Sequence, residues 1–182
     1  RGMIRATEES ARSAGQLLDH ATVLFRADQR AQERVDPGAM VAALVERFGP
    51  TADLKDMELR LDLPAAPLET LGDAVLIEAA MRNLIDNAVK YSPDDSSVQI
   101  TLAAEGGFAR LDVRDRGRGL GGETQATLER RFHRGANVAG VVGSGLGLTI
   151  VAETAVAMGG RFALTEREGG GTCATLWLPL SG

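Results

Sequence analysis

Asn83 and Asn87 stand one helical turn apart in the stretch DAVLIEAAMRNLIDNAVKYSP from Asp73 to Pro93, and Lys90 follows close behind. On a helix that spacing sets two carboxamides and an ammonium along one stripe, a group that could meet a metal ion and a phosphate together. Taken singly, each is more ordinarily a polar residue facing water on an amphipathic helix. Asp115 adds a second chemistry, because Gly117 and Gly119 follow it and leave room for a flat ligand to approach the backbone. A carboxylate accepts hydrogen bonds and cannot donate them. It therefore suits the exocyclic amine of adenine and leaves the carbonyl of guanine unpaired, a difference of roughly 1–3 kcal/mol in a buried site. The alternative is an aspartate in a plain turn, where Asp-x-Gly is common. Gly143, Gly145 and Gly147 supply bare backbone N–H groups at the start of a helix, the ingredients of an anion site. That run has neither the βαβ setting and acidic residue of a dinucleotide fold nor the Gly-Lys-Ser/Thr ending of a phosphate loop. Gly169-Gly170-Gly171-Thr172 precedes the last apolar run, and there a hairpin turn is a more usual role than ligand contact.

These residues need elements to position them. Val75, Leu76, Ala79, Ala80, Leu84, Ile85, Ala88 and Val89 recur at helical spacing, with Asp73 as N-cap and Ser92-Pro93 as the stop. Upstream, residues 4 to about 34 read as a helix with an apolar stripe that needs a partner helix. Asp36-Pro37 opens a second helix, which Gly49-Pro50 is expected to end after Phe48. Alternation at 57–63, 98–104 and 108–115 predicts strands, the last two joined as a hairpin through Glu105-Gly106-Gly107. A helix over about 146–158, ended by Gly159-Gly160, leads to strands at 161–166 and 172–178. The expected fold is α/β, strictly α+β: a two-layer sandwich of a mixed, mostly antiparallel sheet with helices on one face, preceded by a long N-terminal helix.

Composition narrows the class. A chain of 182 residues, 44% of them hydrophobic, can build one domain with a real core plus an appendage. Its net charge of −5 gives no overall attraction to nucleic acid or to an anionic membrane. No apolar run approaches the ~20 residues of a spanning helix. The single cysteine, Cys173, cannot close an internal disulfide, which suits a reducing compartment. Of the 22 glycines, 16 fall between Gly106 and Gly171, so that half holds the loops where side chains would be in the way.

In order and spacing, Asn83-x-x-x-Asn87 with Lys90-Tyr91, Asp115-x-Gly117-x-Gly119, Gly143-x-Gly145-Leu146-Gly147-Leu148 and Gly170-Gly171-Thr172 resemble the asparagine box and three glycine boxes of sensor histidine kinases of two-component systems. The resemblance covers 57–182 as a catalytic ATP-binding domain with the Bergerat fold. Residues 1–35 then resemble the second helix of a dimerisation and phosphotransfer hairpin, with 36–56 as a connecting helix and loop. It implies that Asn87 ligands Mg²⁺, that Asn83 and Lys90 hold phosphates, that Tyr91 packs by adenine, and that Asp115 reads its amine. Gly117, Gly119, Leu120, Gly143, Ser144, Gly145, Leu146, Gly147 and Thr172 would line the ATP site. The region 120–142 would be a lid over it, in which Arg134 meets the γ-phosphate. Implied partners are ATP, a second copy through the helical hairpin, and a response regulator, on the cytoplasmic side of an inner-membrane sensor.

Two departures stand out. Glu129 occupies a place where the family has an aromatic residue, three before Phe132. Neither His20 nor His133 has the context of the family's phosphorylated histidine, so the acceptor helix is expected outside this chain. Related ATP-hydrolysing machines such as gyrase carry a glutamate, a base for water, where this chain has Asn83. A neutral imidazole already offers a lone pair and needs no such base, so Asn83 favours a histidine acceptor.

Overall fold

The computed structural model describes residues 32–120 and 145–182. In chain order they form β1 (Glu33–Val35), α1 (Pro37–Asp53), β2 (Glu58–Asp62), β3 (Thr70–Gly72), α2 (Ala74–Tyr91), β4 (Ser97–Glu105), β5 (Phe108–Arg114), α3 (Gly145–Ala157), β6 (Arg161–Glu166) and β7 (Thr172–Pro179). Five strands make one sheet in the order β2-β4-β5-β7-β6, with β2 parallel to β4 and every other pair antiparallel. The helices cover one face, as the alternation of apolar residues along the strands requires.

Helix α2 lies at the centre of that layer. Asp73 Oδ1 accepts from the backbone N–H groups of Val75 and Leu76 at 2.9 and 3.2 Å, satisfying two donors that helix geometry leaves unpaired. Ile77, Met81, Leu84, Ile85 and Ala88 of α2 are buried in the same cluster as Ile100 and Leu102 of β4, Leu111 and Val113 of β5, and Leu176 and Leu178 of β7. The opposite face of the sheet is polar. There Asp112 accepts from Thr175 Oγ1 at 2.8 Å and from Arg114 Nη2 at 2.7 Å. Beside it the Trp177 ring lies 4.4 Å from the Arg161 guanidinium, and its Nε1 donates to Glu105 at 3.0 Å.

Two expectations from the sequence change here. Residues 33–35 are a strand, not the end of a helix: Val35 is buried, and Glu33, Arg34 and Val35 pair with Gly72, Leu71 and Thr70 of β3. Pro37 explains the break, since a residue before proline is held out of the helical region and Asp36 is extended, with ψ 101°. The remainder of the long N-terminal helix, 4–31, lies outside the described residues. Helix α1 also runs through Gly49-Pro50 to Asp53. Proline forfeits one helical bond, but Ala52 in the next turn is 1% exposed and Met57 beyond it 4%, so burial carries the helix past it. Helix α1 contributes Val41 and Leu44 to the main core, and β1 and β3 form a small second sheet.

Replacing Asp73 with alanine removes both capping bonds. The expected cost is about 1–2 kcal/mol, seen as a Tm lower by roughly 2–8 °C in thermal unfolding.

Candidate functional site

One stripe of α2 carries the chemistry. Asn83 is 6% exposed. Its Nδ2 donates to the Ala79 carbonyl one turn back, at 2.7 Å, which commits the amide and leaves Oδ1 as the free acceptor. That oxygen faces the first turn of α3, where a Cβ added to Gly147 would lie 2.9 Å from Asn83 Oδ1 and 3.7 Å from Asn87 Nδ2. A larger residue there would push Asn83 aside, and a helix leaves the N–H groups of its first turn without intrahelical partners. Asn87 Nδ2 and the Tyr91 hydroxyl, each one turn further along, are buried without a hydrogen-bond partner among the described residues. Buried polar groups in that state mark a place where a ligand can complete the pairing. Lys90 is exposed, with Nζ 5.2 Å from the Tyr91 ring centre, and the Arg118 guanidinium is 5.4 Å from the same ring.

At the Tyr91 end the stripe meets the loop that follows β5. The half-buried Asp115 carboxylate takes both of its backbone bonds on Oδ1, from Gly117 N–H at 2.7 Å and Thr172 N–H at 3.2 Å. Its own N–H donates to the Thr172 carbonyl at 2.9 Å. Burial pushes the Asp115 carboxyl above its ordinary value of 3.8, against the opposing pull of those two amides and of the Arg167 guanidinium. Gly117 is tight against α2: a Cβ would sit 2.8 Å from the Tyr91 carbonyl oxygen. Gly171, at φ +97°, presses on the backbone of Asp115 and Arg116. The glycines before Thr172 therefore do form the β6–β7 hairpin turn, closed by Arg167 N–H to Gly171 carbonyl at 3.0 Å, and the same turn clamps Asp115.

The described residues thus bring together Asn83, Asn87 and Gly147 at one end, and Tyr91, Asp115, Gly117 and Thr172 at the other. Gly119, at φ +70°, closes the loop against Glu166, and Leu120 packs on the core beyond it. Gly145 opens α3. Arg134 with the expected lid beyond Leu120, and Gly143, Ser144 and the Leu146 side chain of the glycine box, lie outside the described residues. From Asn83 to Tyr91 is eight residues of helix, about 12 Å, so the arrangement suits an elongated ligand that is flat and amine-bearing at one end and anionic at the other. Sequence reasoning missed Arg167, whose Nη1 donates to the Asp115 carbonyl at 2.8 Å. No local pattern announces a side chain that bonds to backbone 52 residues away.

Residues 72–182 match the family described as histidine kinase-, DNA gyrase B-, and HSP90-like ATPase. The sensor-like histidine kinase SenX3 of Mycobacterium tuberculosis is 38% identical over 147 residues, covering 80% of this chain and 36% of that protein. The solved structure of the mycobacterial sensor histidine kinase MprB aligns with a TM-score of 0.68 at 27% identity, over 82% of this chain and 97% of the other. Full-length ShkA, solved in complex with AMPPNP, aligns with a TM-score of 0.72 at 25% identity, over 97% of this chain and 39% of that one. The chain spans about a third of the length of the curated relatives it matches.

Because the folded-state pKa of Asp115 is raised, the folded protein holds that proton more tightly than the unfolded chain. Its contribution to stability is present below the ordinary value of 3.8 and is lost as pH rises through the folded value. Asp115→Asn keeps the acceptor on Oδ1 and removes the buried charge. Thermal melts should show the variant more stable than the parent at pH 7, with the difference vanishing below about pH 4.

Proposed function

The chain belongs to the histidine kinase-, DNA gyrase B-, and HSP90-like ATPase family, and on that premise we propose that it is the ATP-binding catalytic part of a sensor histidine kinase. It transfers the γ-phosphoryl group of ATP to a histidine on a dimerisation helix, for relay to an aspartate of a response regulator. The observation that carries the reading is the Asp115 carboxylate, fixed by two backbone amides on one oxygen. The other oxygen is left to accept the adenine amine. A guanine carbonyl in its place would oppose acceptor to acceptor.

The remaining roles follow the stripe. Tyr91 stacks beside the base, with Gly117, Gly119, Leu120 and the Thr172 backbone shaping its pocket. Asn83 and Lys90 take phosphate oxygens, together with the N–H groups of Ser144, Gly145, Leu146 and Gly147 and the preceding Gly143. Arg134 neutralises the γ-phosphate. The orphaned Asn87 carboxamide fits Mg²⁺: its nitrogen and oxygen exchange places by a flip of the amide, which turns a hard oxygen toward the phosphates. Among the described residues no group of three or more His, Cys, Asp or Glu could hold a metal, so waters and phosphates complete the coordination. Bound there, Mg²⁺ supplies charge neutralisation and alignment of the phosphates, which is most of what phosphoryl transfer asks of a protein. Asn83 cannot remove a proton, so the incoming nucleophile must bring its own lone pair, as a neutral imidazole does.

Within 1–35, the part that precedes β1 is read as the second helix of a dimerisation hairpin, with 36–56 as the link from it and 57–182 as the catalytic domain. The partners are a second copy and a response regulator, with the domain on the cytoplasmic side of an inner membrane. No helix among the described residues is long and apolar enough to cross one.

Calorimetric titration with ATP and GTP, with and without Mg²⁺, tests the site. Micromolar ATP binding strengthened by Mg²⁺ is expected, with GTP and the Asp115→Asn variant weaker by about tenfold or more, the worth of one buried hydrogen bond. Equal binding of ATP and GTP would sink the adenine assignment. The transfer step is checked by supplying γ-labelled ATP and a separately made dimerisation hairpin. Label on the hairpin that survives alkali and is lost in acid is the expected signature of phosphohistidine; rapid phosphate release without any protein acceptor would contradict it.

A further inference from the structure

Lys55 follows α1, far in sequence from every residue assigned so far, yet its ammonium ends inside the last turn of α2. Nζ donates to the Val89 carbonyl at 2.8 Å and to the Ser92 carbonyl at 2.7 Å. Asp94 Oδ1 lies 3.7 Å from the same ammonium, at ion-pair distance. The side chain is only 26% exposed. Its backbone is fixed as well: Lys55 N–H donates to Ala52 carbonyl at 2.9 Å, and Lys55 carbonyl accepts from Asp95 N–H at 2.9 Å.

The two carbonyls that Lys55 holds flank Lys90 and Tyr91. A helix leaves its last carbonyls unpaired and its C-terminal end negative, so a cation is favoured at that place. Lys90, the basic residue of the last turn, is exposed. The cap therefore comes from Lys55, 34 residues upstream. Ser92 adds a further closure of this turn, through its N–H to the Ala88 carbonyl at 3.1 Å. The Tyr91 carbonyl in turn abuts Gly117 and sets the height of the Asp115 loop.

Resting on the nucleotide-site reading above, we propose that Lys55 is a positioning residue for ATP: by clamping the Val89 and Ser92 carbonyls it holds Tyr91 and Lys90 in place against the Asp115 loop. It touches no ligand itself and acts through the end of α2.

The test uses the full chain with Lys55→Met, which keeps the stem and removes the cation, and Lys55→Arg, which keeps the cation. Tyr91 is the only tyrosine, so 3-fluorotyrosine labelling gives one fluorine resonance that reports the site directly. In Lys55→Met that resonance should shift or broaden in the ligand-free protein, and ATP affinity should fall about tenfold, the weight of a charge-assisted bond. Lys55→Arg should restore both. An unmoved resonance and ATP affinity within about twofold of the parent in Lys55→Met would overturn the proposal. So would a drop in Tm shared equally by both variants without any rescue of affinity by arginine, since that is what general destabilisation produces. Failure of the parent chain itself to bind ATP strikes the nucleotide reading instead, and the fluorine resonance alone then decides whether Lys55 positions Tyr91.

Discussion

A half-buried carboxylate gripped on one oxygen by two backbone amides is the constraint from which the architecture around it follows. Asp115 can be held this way only if Gly117 folds back beneath it and Thr172 comes alongside. The first demands a residue without a side chain against the Tyr91 carbonyl, and the second demands that the β6–β7 turn press its backbone on the loop at Gly171. The register of β5 against β7, which pairs Arg114 with Cys173, brings the two ends level. Leaving the carboxylate charged in that setting costs desolvation, which a ligand amine bound there, as proposed, would offset.

The proposed nucleotide site is built by a helix that would be needed even without a ligand. The inner side of α2 closes the core over β4, β5 and β7. Its polar stripe is presented sideways to α3 and to the Asp115 loop. Because the packing side of the helix is fixed by burial, the positions of Asn83, Asn87 and Tyr91 along it are fixed by the helical repeat alone. A rigid element of this kind holds groups closer to working geometry than a loop does.

Most of this was legible because the signals are local. The Asp73 cap, the apolar repeat of α2 and the period-two runs of β2, β4, β5, β6 and β7 are properties of neighbours in sequence, and so were the glycine and asparagine spacings of the site. What escaped was set by distant packing. The strand at Glu33–Val35 exists only because β3 lies beside it, and Pro50 is tolerated only because Ala52 has a core to enter. Arg167 and Lys55 bond to backbone carbonyls tens of residues away. A carbonyl has no side-chain identity to recognise, so such pairs leave no motif behind.

The single tryptophan and the single tyrosine of this chain have been allotted to opposite faces of the sheet. Trp177 is on the polar outer face, stacked under Arg161 and tied to Glu105, while Tyr91 is in the ligand stripe on the helical side. The molecule thereby carries one aromatic reporter on each side of the sheet. Red-edge excitation selects the indole and follows the integrity of β5, β6 and β7, while the phenol lies on the helical side of the sheet, where the proposed site is.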